Sequence, residues 1–171
     1  DYHKDLKSYL KAKLYLFEKL MKKRGYVITD EKIPEFKKIK KIAINKNLKL
    51  QTLNNNNGKF KILSHSFKGE YQLLKIRHNN KVKDVILNLI GKIQLKNLLM
   101  AIIAAERSNL NINKIWKIIP KIKPVNGRFE KIGKIKNRAK VILDYAHTPD
   151  ALKTCLFNLR EQFPNTKISL L

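Results

Sequence analysis

Apolar residues are separated by three or four positions through residues 6–21, which is the spacing of an amphipathic helix. Gly25 follows as a helix-terminating residue. The apolar run at residues 26–29 then predicts a strand, residues 34–41 a helix, and residues 42–44 the next strand. This strand–helix–strand order predicts a parallel sheet.

Residues 48–89 have a different pattern, with short apolar or alternating runs separated by Asn/Gly turns such as Asn57-Gly58. The runs predict a small antiparallel sheet of strands, at residues 48–53, 60–67, 71–76 and 82–89. A helix is predicted at residues 95–108. Asn111 is a good N-cap residue for another helix that runs towards residue 119.

Beyond two prolines and Gly127, the pattern returns to alternating strands and helices. A hairpin is expected from residues 129–132 and 140–143, and a helix is expected to follow it up to about residue 163. Residues 167–171 are expected to form the next parallel strand. We therefore predict a second α/β domain that begins near residue 127 and is cut after one strand–helix–strand unit.

The formal net charge is +25 and the isoelectric point is near 10.2, values that ordinarily indicate a polyanionic partner such as nucleic acid. The lysines are spread along the chain instead of forming one block. Lys, Ile and Asn, which are all frequent here, also share A/T-rich codons. Genome composition therefore explains the charge at least as well as nucleic-acid binding does, and both interpretations stay open.

Cys155 is the only cysteine, so an intrachain disulfide is excluded, and its place on an apolar helical face predicts a small buried side chain. The longest apolar stretches, at residues 85–90 and 98–105, are far shorter than the roughly 18 residues of a membrane span. No signal peptide is recognisable. We therefore expect a cytoplasmic chain without a membrane partner.

The junction after the strand at residues 140–143 carries the most informative polar residues: Asp144, His147 and Asp150 lead into a helix with Thr148 as its N-cap. Ligands of open α/β sheets collect outside the carboxyl ends of strands, and the N–H groups of a helix N-terminus favour phosphate. The junction therefore predicts a nucleotide or phosphate site. In the alternative interpretation, the two aspartates cap the turn and His147 occupies a polar surface position.

Four sequence elements resemble those of the Mur ligase family. The run DYAHTPDAL (residues 144–152) resembles the signature that opens the C-terminal domain in members adding the third peptide residue, and GRFE (residues 127–130) resembles the element that precedes it. DYH (residues 1–3) with YLKAKLYLF (residues 9–17) resembles the segment after a metal-binding His. GKIQLKN (residues 91–97) resembles an ATP-binding Gly-x-Phe-Asn-x-x-Asn element.

The resemblance implies an α/β fold in two parts. Residues 1–126 would be the C-terminal part of the central ATP-binding domain, with a parallel sheet and a small antiparallel excursion, and residues 127–171 the start of a Rossmann-like C-terminal domain. The phosphate-binding loop and a uridine-nucleotide-binding domain would lie before Asp1, and the amino-acid pocket after Leu171. Folylpolyglutamate synthase and cyanophycin synthetase share this architecture but carry other versions of the junction motif.

The resemblance also implies roles for residues of the first part. Lys13 matches a lysine that carbon dioxide carbamylates to make a ligand for Mg²⁺, and a partly buried lysine with a depressed pKa favours that reaction. Asn97 matches the second Asn of the ATP-binding element. Ile93 and Gln94 depart from the family by replacing the usual Phe and the usual first Asn.

In the second part, Arg128 matches an arginine that contacts ATP phosphate, a role suited to its fixed fork of donors. Asp144 matches an acidic residue that engages the nucleotide, most simply through ribose hydroxyls. His147 and Asp150 belong to the motif without an assigned chemical step, and no catalytic residue is assigned. The implied cofactors are ATP and Mg²⁺.

The implied activity is ATP-dependent amide ligation through an acyl phosphate. It would join meso-diaminopimelate or L-lysine, as the third amino acid, to UDP-N-acetylmuramoyl-L-alanyl-D-glutamate, in an enzyme that is a monomer at full length and binds no nucleic acid. We expect the 171-residue chain alone to be inactive. Two other classes stay open: a basic nucleic-acid-binding module, and a non-catalytic remnant that binds nothing specific.

Overall fold

The computed structural model describes residues 3–53, 60–135 and 139–171, so Asp1, Tyr2 and the predicted Asn57-Gly58 turn lie outside the described residues. The helices and strands follow in the order α1 (Leu6–Tyr15), β1 (Tyr26–Thr29), α2 (Phe36–Asn45), β2 (Lys49–Thr52), β3 (Phe60–Lys68), β4 (Tyr71–His78), β5 (Lys81–Leu87), α3 (Lys92–Arg107), α4 (Ile112–Ile118), β6 (Glu130–Lys134), β7 (Lys140–Leu143) and α5 (Pro149–Gln162). The predicted α/β class is confirmed. None of the described helices is both long enough and apolar enough to cross a membrane.

β1 and β2 form a parallel pair with Val27 opposite Leu50, and α2 connects the two strands. α2 buries Ile39 and Ala43, which lie four residues apart on one helical face. The predicted parallel sheet is therefore confirmed, but the strand predicted at residues 42–44 is wrong. These residues continue α2, because the helical turn carries Ala43 into the buried cluster that holds Val27.

α1 begins after Asp5, whose carboxylate accepts a hydrogen bond from the Ser8 N–H at 2.6 Å. The helix continues as a π-helical turn, Leu16–Leu20, which confirms the amphipathic helix predicted for this part of the chain. No residue of α1 is buried, and Leu14 is only partly buried against the cluster of β1 and α2. α1 is therefore held by few apolar contacts within the described chain.

β3, β4 and β5 form a three-stranded antiparallel sheet, with a register shift between Ile62 and Ser64. One face of this sheet packs against α3 in a core cluster that includes Leu74, Ile76, Val85, Leu87, Leu95, Leu99 and Ile103. Three of the four strands predicted for the antiparallel sheet are confirmed. The fourth prediction, residues 48–53, is wrong in its pairing, because β2 is hydrogen-bonded to β1 in parallel.

α3 and α4 confirm the two predicted helices that follow the sheet. α3 runs from Lys92 to Arg107 with Gly91 at its N-cap position. α4 begins after Asn111, whose Oδ1 accepts a hydrogen bond from the Asn113 N–H at 2.9 Å, so the predicted N-cap is confirmed as well. A short 3-10 turn, Ile119–Lys121, ends this part of the chain.

The C-terminal region forms the predicted hairpin, β6 paired antiparallel with β7, followed by α5. Thr148 caps α5 by accepting from the Ala151 N–H at 3.3 Å, and Cys155 is buried as predicted. The strand predicted at residues 167–171 is wrong. A strand requires a hydrogen-bonded neighbour, and in the described chain β7 pairs with β6 while Leu170 stays exposed.

Candidate functional site

A cavity of about 600 Å³, here called the junction cavity, lies where α3, the loop before β6 and the start of α5 meet. Four of the six residues selected from the sequence line it: Asn97, Arg128, Asp144 and Asp150. Its other walls are Ile93, Gln94, Val125, Phe129, Ala151, Thr154 and Cys155. Residues on both sides of the boundary predicted near residue 127 therefore form one cavity.

The loop at residues 127–130 needs unusual backbone conformations. Gly127 has φ +69° and Phe129 has φ +48°, in the left-handed region that residues other than glycine rarely adopt. The Gly127 N–H donates to Oε2 of Glu130 at 2.7 Å, and the Phe129 side chain is buried in the cluster that holds Cys155. The buried Phe129 anchors the loop, while its neighbour Arg128 is exposed at the cavity.

Asp144 ties the strand end to this loop. It follows the last residue of β7, and its Oδ2 accepts a hydrogen bond from the Phe129 N–H at 3.0 Å. The Tyr145 N–H donates to the Gly127 carbonyl at 2.9 Å. The two segments that carry the GRFE and DYAHTPDAL motifs are therefore bonded to each other. The Asp144 carboxylate therefore bonds to a separate segment and also lines the cavity.

Arg128 is held from two sides. Its guanidinium carbon lies 5.3 Å from the centroid of the Tyr145 ring, a cation–π contact. Its carbonyl oxygen accepts a hydrogen bond from Nε2 of Gln94 at 3.2 Å. Gln94, the residue that departs from the family pattern, thus links α3 to the loop of Arg128 through its own side-chain amide.

Asn97 projects from the same face of α3 as its cavity neighbours. It lies four residues after Ile93 and three after Gln94, and residues at these spacings are adjacent on a helix surface. Asn97 is exposed. The three side chains therefore form one wall, facing the loop of Arg128.

The start of α5 supplies the remaining polar wall. Asp150 is exposed in the first turn of α5, where a carboxylate is favoured by the helix dipole. His147 does not line the cavity: it is exposed, with Nδ1 2.9 Å from the Tyr145 carbonyl oxygen and its ring 4.8 Å from the Tyr145 ring. No chemical role can be derived for His147 from these contacts.

Cys155 forms part of the cavity floor without being suited to nucleophilic chemistry. Burial raises the pKa of the Cys155 thiol, and the Asp144 carboxylate raises that pKa further. A thiol needs to ionise to react as a nucleophile. Cys155 therefore acts as a small apolar residue at the base of the cavity.

Lys13 lies apart from the junction cavity. It is an exposed residue of α1, and its Nζ lies 4.4 Å from the centroid of the Tyr9 ring. It lines a separate cavity of about 670 Å³ between the N-terminal helix and α2. Residues 3–53, 60–135 and 139–171 contain no cluster of three or more metal-ligating side chains. The described surroundings of Lys13 do not form a magnesium site, and its role as a ligand stays a prediction.

Sequence reasoning missed the buried polar residues, among them Asn158, Gln162 and Asp30. Asn158 and Gln162 on α5 are 6% and 4% exposed, and both accept hydrogen bonds from the start of α3. Their signal in the sequence is a pair of amides four residues apart on a helix face that otherwise carries apolar residues. Asp30 follows β1 and lies 2.7 Å from Nζ of Lys96.

Asp30 links β1 to α3 through a charge pair. Burial raises the pKa of its carboxyl, but hydrogen bonds from Lys96 and from the Lys32 N–H outweigh burial and hold that pKa below its usual value. The position of Asp30, directly after a buried strand, was the sequence signal for it. It lines a smaller cavity, of about 170 Å³, and is not part of the junction cavity.

Two known families match this chain. The family described as Mur ligase middle domain matches residues 1–105, and the family described as Mur ligase, glutamate ligase domain matches residues 127–171. The first match covers more than half of the chain, and the second contains the loop of Arg128 and all of the DYAHTPDAL run.

Individual relatives match nearly the whole chain. It is 35% identical over 161 residues to a UDP-N-acetylmuramoyl-L-alanyl-D-glutamate--2,6-diaminopimelate ligase from Rickettsia bellii (strain RML369-C), a match that covers 94% of this chain and 33% of that protein. A solved structure of a ligase with the same name has a TM-score of 0.69 at 26% identity, over 94% of this chain and 33% of the other.

A third relative shows the fold alone. The structure of MurF from Acinetobacter baumannii has a TM-score of 0.73 at 16% identity, and the match covers 91% of this chain and 33% of the other. In all three comparisons, the chain spans about a third of the length of the protein that it matches.

Proposed function

This chain belongs to the Mur ligase family, and from that premise we propose that it is part of an ATP-dependent ligase of peptidoglycan synthesis. The ligase would join meso-diaminopimelate to UDP-N-acetylmuramoyl-L-alanyl-D-glutamate. The names of the relatives favour diaminopimelate over L-lysine, the other amino acid that the sequence leaves open. Residues 1–126 would belong to the central domain and residues 127–171 to the C-terminal domain of an enzyme that acts as a monomer.

One observation carries the proposal: Asn97, Arg128 and Asp144, selected from three separate motifs, line the same cavity. Unrelated surface residues from positions up to 47 apart in the chain have no reason to converge in this way. The cavity also combines apolar walls, Ile93 and Val125, with a few polar groups, which is the composition of a nucleotide site.

Each polar group would recognise a different part of ATP. The Arg128 guanidinium would contact a phosphate, because its planar fork of donors matches phosphate oxygens. A carboxylate oxygen of Asp144 would accept hydrogen bonds from ribose hydroxyls, and the Asn97 amide would both donate and accept at the base. The apolar walls would cover the faces of the base.

The catalytic contribution of this cavity would be positioning. Phosphoryl transfer relies mainly on orientation of the nucleotide and neutralisation of its charge. Arg128 would supply one fixed positive charge, and the bonded pair of loops at Gly127 and Asp144 would keep it in place. We also propose that the 171-residue chain alone does not catalyse ligation, because the junction cavity contains only one cationic side chain among its lining residues.

The test is a segment exchange in the Rickettsia bellii ligase, with residues 1–171 of this chain replacing the matching segment. We expect the chimaera to form UDP-N-acetylmuramoyl-tripeptide from ATP and diaminopimelate, with one phosphate released for each product molecule. The matched control is the same chimaera with Asp144→Asn, which keeps the side-chain shape but removes the charge. A folded chimaera that makes no product would contradict the proposal.

The alternative, a basic nucleic-acid-binding module, is tested on the 171-residue chain alone. Binding that relies on neutralised phosphates weakens steeply as salt increases. Affinity of the 171-residue chain for single-stranded DNA that exceeds its affinity for another polyanion, such as heparin, at physiological salt would favour the nucleic-acid module. Equal, salt-sensitive binding to both polymers would reflect only the net charge of +25.

A further inference from the structure

The start of α3 is held by side chains of α5, which lies about 70 residues later in the chain. The Gly91 N–H donates to Oε1 of Gln162 at 2.8 Å, and the Ile93 N–H donates to Oδ1 of Asn158 at 3.1 Å. The first N–H groups of a helix have no partner within the helix and need one from elsewhere. Here two uncharged amides from α5 supply it.

The amides of α5 belong to a larger buried network. Nε2 of Gln162 donates to the Gly69 carbonyl at 3.0 Å, in the turn between β3 and β4. Gln72 of β4, which is fully buried, donates to the carbonyls of Leu89 and Gly91 at 2.7 and 3.0 Å. The connection between β5 and α3 is therefore fixed on one side by the antiparallel sheet and on the other side by α5.

Gly91, at the N-cap of α3, lies directly against α5. A Cβ at this position would lie 3.3 Å from Cβ and Oδ1 of Asn158 and 3.4 Å from Cζ of Phe129, and its φ of +85° is unsuited to other residues. The positive φ, together with the close approach of Asn158, favours glycine at this position. Another residue here would strain the backbone at the contact between the two segments.

Both helices that these contacts connect supply walls of the junction cavity. α3 carries Gln94 and Asn97 on one wall, and α5 carries Asp150 and Ala151 on another. The hydrogen bonds of Gln162 and Asn158, together with the ion pair between Lys92 and Glu161 at 3.1 Å, connect the two helices. The N–H groups of Gly91 and Ile93 are occupied by these bonds and are therefore not free to bind a phosphate.

We propose that Gln162 and Asn158 are positioning residues that set the width of the nucleotide cavity by holding the N-terminus of α3 against α5. The term nucleotide cavity rests on the proposed function, whereas the positioning of the two helices does not. Loss of either amide leaves an N–H group at the start of α3 without its partner and removes one of the contacts that hold the two walls together.

The experiment measures the distance between the helices directly. Spin labels are attached to Ala101→Cys on α3 and Lys153→Cys on α5, both exposed positions, in the 171-residue chain with Cys155→Ala. We expect a narrow distance distribution that broadens at least about twofold in Gln162→Met and Asn158→Leu, which keep side-chain volume but remove the acceptor. Asn158→Asp keeps an acceptor for the Ile93 N–H and should preserve the narrow distribution.

A distribution that stays narrow in both folded variants would overturn the proposal. If both variants fail to fold, amide hydrogen exchange of the unmutated chain decides: the N–H groups of Gly91 and Ile93 should be protected, and exchange at the rate of an open loop would overturn the proposal.

The link to nucleotide is measured separately, in the chimaera described above. Loss of one positioning amide should weaken ATP binding by about tenfold, and Asn158→Asp should restore most of that affinity. An ATP affinity that is unchanged in a chimaera whose helices have separated would overturn the assignment to the cavity. A parent chimaera that binds no ATP would instead contradict the proposed function, while the distance measurement would still stand.

Discussion

None of the 10 residues of α1 is buried, whereas α3 buries five of its 16 residues and has its first N–H groups bonded to α5. Leu6 of α1 is 85% exposed, and Leu20 in the π-helical turn after it is 64% exposed. Residues of this chain therefore form both sides of the contact between α3 and α5. Within the described chain, the apolar contacts of the N-terminal helix lie on the side that faces β1 and α2.

The candidate site residues also differ in how many contacts they make with the rest of the described chain. Arg128 and Asp144 are positioned by contacts with neighbouring segments of the described chain, and Asn97 lines the same cavity from α3. Among the described residues, Lys13 is positioned by its helix and by the ring of Tyr9. The comparison indicates that the part of the proposed nucleotide site contributed by this chain is preformed, while a metal site at Lys13 would need ligands beyond those described.

The largest expected difference between the regions is in stability. Ile103→Ala removes a side chain of α3 that is 2% exposed and should lower the free energy of unfolding by about 2–5 kcal/mol. Leu20→Ala, at an exposed position, should change it by less than about 0.5 kcal/mol. Urea denaturation of the 171-residue chain measures both. Equal losses would show that the N-terminal region is packed as tightly as the core between α3 and the antiparallel sheet.

Arg128 should dominate the activity of the chimaera. Arg128→Ala removes the cationic side chain of the junction cavity and should lower kcat/KM for ATP by roughly 100-fold, the effect of losing one fixed charge at a transferring phosphate. Arg128→Lys keeps the charge without the fork and should recover only part of the loss. Full activity in Arg128→Ala would place the phosphate elsewhere.

A substitution of Lys13 tests the N-terminal helix. We propose that it is carbamylated in the full-length enzyme, so Lys13→Arg, which keeps a positive charge but cannot be carbamylated, should lower kcat of the chimaera by about tenfold or more. The melting temperature should not change, because Lys13 is exposed. Unchanged kcat at limiting Mg²⁺ would remove Lys13 from the site.

Local patterns predicted most elements of the fold because those elements are determined by nearby residues. The caps at Asn111 and Thr148 were predicted for this reason. The errors concern the type or pairing of strands: residues 42–44 have strand-like composition but lie in α2. Residues 49–52 pair with β1 instead of joining the antiparallel sheet, and residues 167–171 lack a strand partner in the described chain. Pairing depends on contacts between distant segments, which periodicity does not encode.

The candidate site was predicted from motifs, and the motifs did not reveal how it is held together. Asn158 and Gln162 are ordinary helix residues in the sequence, and their roles depend on α3 arriving within hydrogen-bonding distance. Gln94 was noticed only as a departure from a pattern. Its bond to the Arg128 carbonyl is a consequence of folding and could not be deduced from spacing.

Glu70 links the antiparallel sheet to the C-terminal hairpin, and this link makes the stability of the fold depend on pH. Its carboxylate contacts Nζ of Lys131 and, at 3.0 Å, Nζ of Lys140. Hydrogen bonds from Lys131 and Lys140 hold the pKa of Glu70 below its usual value. Because the folded-state pKa is lowered, this contribution is present above the unfolded-state pKa and is lost as the pH falls through the folded-state value.

Glu70→Gln should therefore lower the free energy of unfolding by about 1 kcal/mol at pH 7 and by less at acidic pH. The matched control is Asp84→Asn: Asp84 lies 3.9 Å from Lys75 and its side chain is 82% exposed, so little change is expected. Urea denaturation between pH 3 and 7 compares the two variants. An equal, pH-independent effect of both would show that Glu70 contributes no more than a surface charge.

Gln94 should have the smallest effect and gives the finest test of how the junction positions Arg128. Gln94→Asn restores the residue usual in the family but shortens the side chain by one methylene, so its amide can no longer span the 3.2 Å contact to the Arg128 carbonyl without a shift of the loop. We expect ATP affinity of the chimaera to fall about threefold, the effect of one exposed hydrogen bond. Gln94→Leu should produce the same loss, because both variants lack that bond. If Gln94→Asn binds ATP more tightly than the unmutated chimaera, the family asparagine contacts the nucleotide itself, and the glutamine of this chain replaces a nucleotide contact with a loop contact.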